Sequence, residues 1–233
     1  MTLDEFIAKY YPFGFYPNGE PLPGRREEFN RRNSQLLCRN MKTDIVFIGD
    51  SIIDWWEVGS YFSKYGNVVN RGIGGECTPE LVERFQCDAL DLNPRVIVTL
   101  EGINDLGELL QYSKEHKIVP EELKLRKVAA IIENYKKIFE MAKLTSVQLL
   151  VCSILPIGSL DVRNRVMIEI NARLERLAKE YGFEFVNLYA MLVEDDGVTL
   201  KKVHFGDDLH PHVLGYNIMA EMLYPYLDSV FGV

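Results

Sequence analysis

A hydroxyl, a carboxamide, and an imidazole three residues past an acid stand in separate stretches of this chain. They are Ser51 in "FIGDSI", Asn104 in "EGIND", and Asp207 with His210 in "GDDLHPH". A serine hydroxyl is a weak nucleophile until an imidazole takes its proton, and His210 is the best candidate among four histidines. An acid at the spacing of Asp207 can accept the Nδ1–H, fixing the tautomer and stabilising the imidazolium. Attack on an ester carbonyl creates an oxyanion that needs preorganised donors. Three are available on paper: the Ser51 N–H at a helix start, the Asn104 amide, and a backbone N–H of the glycine-rich "NRGIGGE", where Gly75 permits close approach. Each piece has a plainer reading. Ser51 could cap a helix, Asn104-Asp105 could be a turn, and Asp207 and His210 could form a surface turn stiffened by Pro211. "GIGGE" as a phosphate cradle is disfavoured, because it lacks the GxGxxG spacing and sets an acid where phosphate would sit.

The elements that would position these residues are legible from pattern. "DIVFIG", "GNVVNRG", "PRVIVTLEG", "SVQLLVCSILP" and "FEFVNLY" read as five strands, the first followed by a polar-amphipathic stretch and each of the other four by a helical pattern. The helices are "TPELVERFQCDAL", with Thr78 as cap and Pro79 at its first position, "LRKVAAIIENYKKIFEMAK", "RVMIEINARLERLAKEYG" ended by Gly182, and "GYNIMAEMLYPYLDSVF". Alternation of apolar strands with amphipathic helices predicts a parallel sheet covered on both faces. Sites in such sheets gather beyond the carboxyl ends of the strands, where Ser51, Gly75, Asn104 and the Asp207/His210 pair fall. Residues 1–25, rich in Tyr, Phe and Pro, are expected to form a strap on a single domain spanning 26–233, which opens with a short helix around "REEFNRRNSQLLCRN".

A net charge of −8 argues against nucleic acid or an anionic membrane surface as partner. The N-terminus has neither a signal-peptide pattern nor an apolar span, so stable membrane insertion is not expected and a cytoplasmic location is. Cys38, Cys77, Cys87 and Cys152 are scattered and read as free thiols, mostly packed in the core. No metal or cofactor is expected.

Taken together, the stretches resemble the SGNH hydrolases, or GDSL-type esterase/lipase family. "FIGDSI" resembles the block with the nucleophilic serine, "NRGIGGE" and "EGIND" those of the oxyanion hole, and "DDLHP" the block of the catalytic Asp and His. "REEFN" is similar to the helical lead-in of the platelet-activating-factor acetylhydrolase-like branch. The resemblance runs from about residue 25 to 228, and Glu76-Cys77, Ile103 and Glu101 depart from the usual pattern. It implies a flavodoxin-like three-layer α/β/α sandwich with a five-stranded parallel sheet. It also implies a serine esterase without cofactor: Ser51, Asp207 and His210 catalytic, and Ser51, Gly75 and Asn104 forming the oxyanion hole. The expected substrate is a short-chain, acetyl-type ester of a small molecule such as a sugar. A lysophospholipase or thioesterase, or a catalytically silent binding protein, is the alternative, and a monomer and a homodimer fit equally. Asp50, Trp55 and Glu76 are candidates for substrate contact, with one of Trp55 and Trp56 in the core and the other at the pocket mouth. An acid at Glu101 would repel anionic substrates or bind a sugar hydroxyl.

Overall fold

The computed structural model describes residues 24–116, 118–158 and 163–233; nearly all of the expected strap lies outside them. Helix α1 (Gly24–Cys38) leads into β1 (Ile45–Gly49), two short helices α2 (Ser51–Asp54) and α3 (Val58–Tyr61), and β2 (Val68–Gly72). Helix α4 (Thr78–Asp88), β3 (Val96–Leu100), α5 (Gly107–Glu115), α6 (Glu121–Lys143) and β4 (Gln148–Cys152) follow. The chain closes with α7 (Arg163–Tyr181), β5 (Glu184–Val186), α8 (Leu188–Leu192) and α9 (Val213–Phe231).

The strands form one parallel sheet in the order β2-β1-β3-β4-β5, as the alternating pattern predicts. Successive side chains on a strand point to opposite faces, so each strand feeds two cores. Val46, Ile48, Ile97, Leu149 and Val151 pack under α4, α6 and α7, with Phe85, Ile131, Phe139 and Ile170. Ile45, Phe47, Val98, Leu150 and Cys152 pack on the other face, with Trp56 and Phe62 and with Met219 and Leu223 of α9. Continuous apolar strands are the consequence of this two-sided burial. The chain leaves β1 for β2 on one side and returns to β3 on the other. The crevice opened by this reversal lies at the carboxyl ends of β1 and β3.

Three local readings are corrected. Thr78 does not cap α4: Cys77 holds the cap position, and the Thr78 N–H and hydroxyl both donate to the Asp105 carboxylate, at 3.0 and 2.5 Å. An acid from the loop after β3 thus does what a local side chain was expected to do. The stretch "FEFVNLY" is strand only through Val186, because the Asn187 side chain accepts from the Ala190 N–H at 3.2 Å and starts α8. Of the cysteines only Cys152 is buried; Cys38 is exposed, and Cys77 and Cys87 are half-buried, all as free thiols.

Candidate active site

The turn from β1 into α2 determines what Ser51 can do. Asp50, not Ser51, caps α2: its carboxylate accepts from the Ile52 N–H at 2.8 Å. That frees the Ser51 hydroxyl from the capping duty its residue type suggests. Ser51 sits at the first helical position, where its own N–H has no acceptor within the helix. Helix α2 rests directly on β2. A Cβ added at Gly72 would stand 2.1 Å from the Asp54 nitrogen.

His210 arrives from the far end of the chain on the connection between α8 and α9. The ladder bridge of Phe205 to Pro211 and the Gly206 N–H to His210 carbonyl bond of 2.8 Å close this loop. Asp207 organises it further, since its Oδ1 accepts from the N–H groups of Leu209 and His210, both at 2.6 Å. The other carboxylate oxygen lies 2.9 Å from His210 Nδ1, and His210 Nε2 lies 3.0 Å from Ser51 Oγ. Partial desolvation pushes the Asp207 carboxyl upward, but the hydrogen bonds from His210 and Leu209 outweigh it and hold the group below the usual range. A carboxylate accepting at Nδ1 leaves Nε2 as the acceptor facing Ser51 Oγ–H. The arrangement can carry a proton from the hydroxyl to the imidazole.

The remaining expected residues lie in the loops that follow β2 and β3. Gly74 lies beside Ser51, close enough that a Cβ there would be 3.8 Å from the Ser51 Cβ. Gly75 adopts φ +81°, a conformation that favours glycine, and a Cβ there would meet nothing within 4 Å. Asn104 follows β3, and its amide donates to the Glu76 carbonyl at 2.8 Å, tying the loop after β3 to the loop after β2. One of its two amide hydrogens is used there, which leaves a second for a ligand.

Two of the three expected substrate contacts are corrected. The Asp50 side chain is fully buried, and burial above all, with Glu76 and Asp105 nearby, pushes its carboxyl up to about 7. The Glu76 side chain is buried against Arg84, whose Nε lies 2.7 Å from both carboxylate oxygens. Burial raises the Glu76 carboxyl to about 7 against the opposing pull of the guanidinium, which reaches both of its oxygens. Neither side chain faces a ligand. Glu101 is likewise fully buried, so it makes no direct contact with a substrate in the crevice. The third expectation stands differently. Trp55 is 58% exposed, with its ring stacked on His210 at 4.1 Å between centroids, while Trp56 is 2% exposed in a cluster with Phe47, Phe62 and Tyr216. Two of the other three histidines have separate tasks: His212 accepts from the Leu214 N–H at the start of α9, and His116 packs on Tyr112.

Sequence reasoning missed Arg84, the fully buried cation under the site. It donates to the carbonyls of Arg71 at 2.8 Å and Gly49 at 3.2 Å, and pairs with Glu76 and Asp88. It thereby joins the ends of β1 and β2 to α4. The available signal was its place on the apolar stripe of α4 with Asp88 four residues on.

With Ser51, His210 and Asp207 in line and the two glycine and asparagine loops beside them, comparison with known proteins becomes informative. The model of the GDSL-like lipase/acylhydrolase family matches residues 47–218. The chain belongs to this family. It is a carboxylic ester hydrolase by that membership, and its described residues form the parallel α/β fold common to its structural relatives. A Streptococcus pneumoniae protein provisionally described as a platelet activating factor is 26% identical, with a TM-score of 0.71 over 86% of this chain and 92% of that one. A GDSL-like lipase from Bacteroides thetaiotaomicron is 23% identical, with a TM-score of 0.66 over 84% and 97%. A mutant of an acetyl-xylooligosaccharide esterase from Geobacillus stearothermophilus is 21% identical, with a TM-score of 0.63 over 80% and 96%. The last two likenesses are of fold alone. No curated protein is similar enough to match this chain. Among the described residues, no helix is long and apolar enough to cross a membrane.

Proposed function

We propose that this acylhydrolase is a serine esterase that removes short acyl groups, acetyl foremost, from sugars or other small alcohols through an acyl-Ser51 intermediate. One observation carries the reading: the line from Ser51 Oγ to His210 Nε2 at 3.0 Å and from His210 Nδ1 to Asp207 at 2.9 Å. In the first half-reaction His210 takes the Ser51 proton as Oγ attacks the ester carbon. The carbonyl oxygen becomes an oxyanion, with the N–H groups of Ser51 and Gly75 and the free Asn104 amide hydrogen as its donors. Collapse breaks the bond to the alcohol, which leaves with the proton from Nε2. Water then enters, gives its proton to His210, and attacks the acyl carbon; release of the acid returns the proton to Ser51 Oγ. Throughout, the Asp207 carboxylate holds the ring orientation and balances the imidazolium.

The preference for a short acyl group is supported by the segment after Asn104. Its described residues fold as the short helix α5, with Gln111, Lys114 and Glu115 on its surface, and form no long apolar helix there. A sugar as the alcohol draws support from the acetyl-xylooligosaccharide esterase that shares the fold. The test is a series of p-nitrophenyl acetate, butyrate and octanoate beside an acetylated xylooligosaccharide, run on wild type and Ser51→Ala. Turnover should fall with chain length, and Ser51→Ala should keep the fold yet lose activity by roughly 10⁴-fold or more. Wild-type protein that neither hydrolyses these esters nor reacts with a fluorophosphonate would overturn the proposal.

A further inference from the structure

We infer that Trp55 is a positioning residue for His210, its indole face holding the imidazole against Ser51 and favouring the charged ring formed when the serine proton is taken. The inference rests on the serine-esterase reading above and adds a part that reading does not contain. His210 is fixed at both ring nitrogens, by Ser51 at 3.0 Å and Asp207 at 2.9 Å. Hydrogen bonds at imidazole nitrogens are directed along the ring plane, so they resist displacement along the ring normal only weakly. Along that axis the Trp55 indole covers a face of the ring, stacked at 4.1 Å between centroids with an interplanar angle of 29°.

Trp55 is itself held by its neighbours in the chain. Its N–H donates to the Ser51 carbonyl at 3.0 Å, so the nucleophile and the stacking ring share one turn of backbone. On one side Asp54 is anchored by Arg25 at 2.8 Å. On the other, Trp56 is locked in the core by Phe47, Phe62 and Tyr216. A side chain left 58% exposed between two such anchors contributes little burial. Its contact with the catalytic imidazole is the feature that distinguishes it. An aromatic face also carries negative quadrupole density and attracts a cation more than a neutral ring. The contact therefore strengthens as the imidazolium forms, and an interaction stronger in the transition state than in the ground state acts on kcat.

The test compares Trp55→Phe, Trp55→Leu and Trp55→Ala with wild type, with Ser51→Ala as control. It uses phenyl acetate and an acetylated sugar, together with the rate of covalent labelling by a fluorophosphonate. Trp55→Leu keeps apolar bulk without the π face, and the exposed position lets every variant fold, which circular dichroism checks. Loss of the stack should lower kcat about tenfold in Trp55→Ala and Trp55→Leu, by the same factor on both esters and in labelling, with KM within about twofold. Trp55→Phe should keep most of the rate. A KM that rises with kcat retained, a factor that differs between the two alcohols, or a leucine variant as fast as wild type would each overturn the role. Turnover in Ser51→Ala close to that of wild type would instead count against the esterase reading itself.

Discussion

At the scale of single residues, the site divides into side chains that face the crevice and side chains that hold it from behind. Ser51 is available because Asp50 takes the capping bond to Ile52, and Asn104 is placed because it also binds the Glu76 carbonyl. The Asp50 and Glu76 side chains belong to the second group, though their positions beside Ser51 and Gly75 suggested contact with substrate. Adjacency in sequence does not tell which way a side chain turns. Only the buried partner does, and Arg84, eight residues past Glu76, was not evident from the motif. The catalytic line, by contrast, was legible, because a hydroxyl, an acid and an imidazole carry their chemistry in their types. Asp207 offers a direct check of its role. Asn in its place presents an amide N–H or O to Nδ1 and no longer enforces one tautomer. Asp207→Asn should lower kcat by roughly 10²–10³, with KM little changed in an acetate ester assay. A smaller loss than for a fully buried acid is expected because this carboxylate is half-exposed and water can take up part of its role. Retention of full activity would remove Asp207 from the mechanism.

At the scale of elements, the precision of the crevice comes from how closely α2 lies on β2. Gly72 is the point of contact: a Cβ there would stand 2.1 Å from the Asp54 nitrogen and 2.6 Å from its Cα, both backbone atoms of the turn that carries Ser51. Gly72→Ala must therefore push α2 off the sheet. A cost of about 1–3 kcal/mol is expected from overpacking, read as a lower urea midpoint, together with loss of activity as Ser51 leaves His210. Gly59→Ala in α3, where a Cβ would meet nothing within 4 Å, is the matched control and should be neutral or slightly stabilising. An equal loss from both variants would show that the close approach is not what matters at Gly72. The same elements show how far pattern reading reaches. Strand and helix order were legible because β1, β3 and β4 are buried on both faces and α6 keeps its apolar spacing over many turns. What escaped was decided by polar atoms acting across the sequence. The Asp105 carboxylate serves the start of α4 from 27 residues away, and no local pattern at Thr78 records it. The end of β5 was lost for the opposite reason, since Asn187 acts within three residues but stands inside a run whose composition still reads as strand.

At the scale of the whole molecule, the crevice is built over an acidic interior, and this should govern stability against pH. Register pairs Gly49 with Leu100, so Asp50 and Glu101 leave neighbouring strands side by side, both fully buried. One oxygen of each carboxyl, Asp50 Oδ2 and Glu101 Oε2, has no hydrogen-bond partner. Burial first, then the charges of Asp50, Glu76 and Asp105, hold the Glu101 carboxyl well above its usual range against the pull of Arg84. Tyr135 also reaches this residue, its hydroxyl donating to the Glu101 backbone carbonyl at 2.9 Å. The sign follows from proton counting. Above the ordinary glutamate range the unfolded chain has lost this proton while the folded chain keeps it. The native state therefore binds more protons, and its stability falls as pH rises from that range toward the raised folded value, by roughly 1.4 kcal/mol per pH unit for a group that stays protonated. Asp50, pushed up to about 7, adds a decline of the same sign between its usual value of 3.8 and about 7. Glu101→Gln isolates the first contribution. The amide keeps an oxygen for the Gly102 N–H, which Glu101 Oε1 accepts at 3.1 Å, and it has no proton to lose. Thermal melts of the two proteins should nearly coincide at pH 5 and separate as pH rises, the glutamine variant melting several degrees higher at pH 8. Titrations shared by both proteins largely cancel in that difference. A gap that stays constant or closes with rising pH would mean that Glu101 is ionised in the folded protein, with its charge balanced by Arg84.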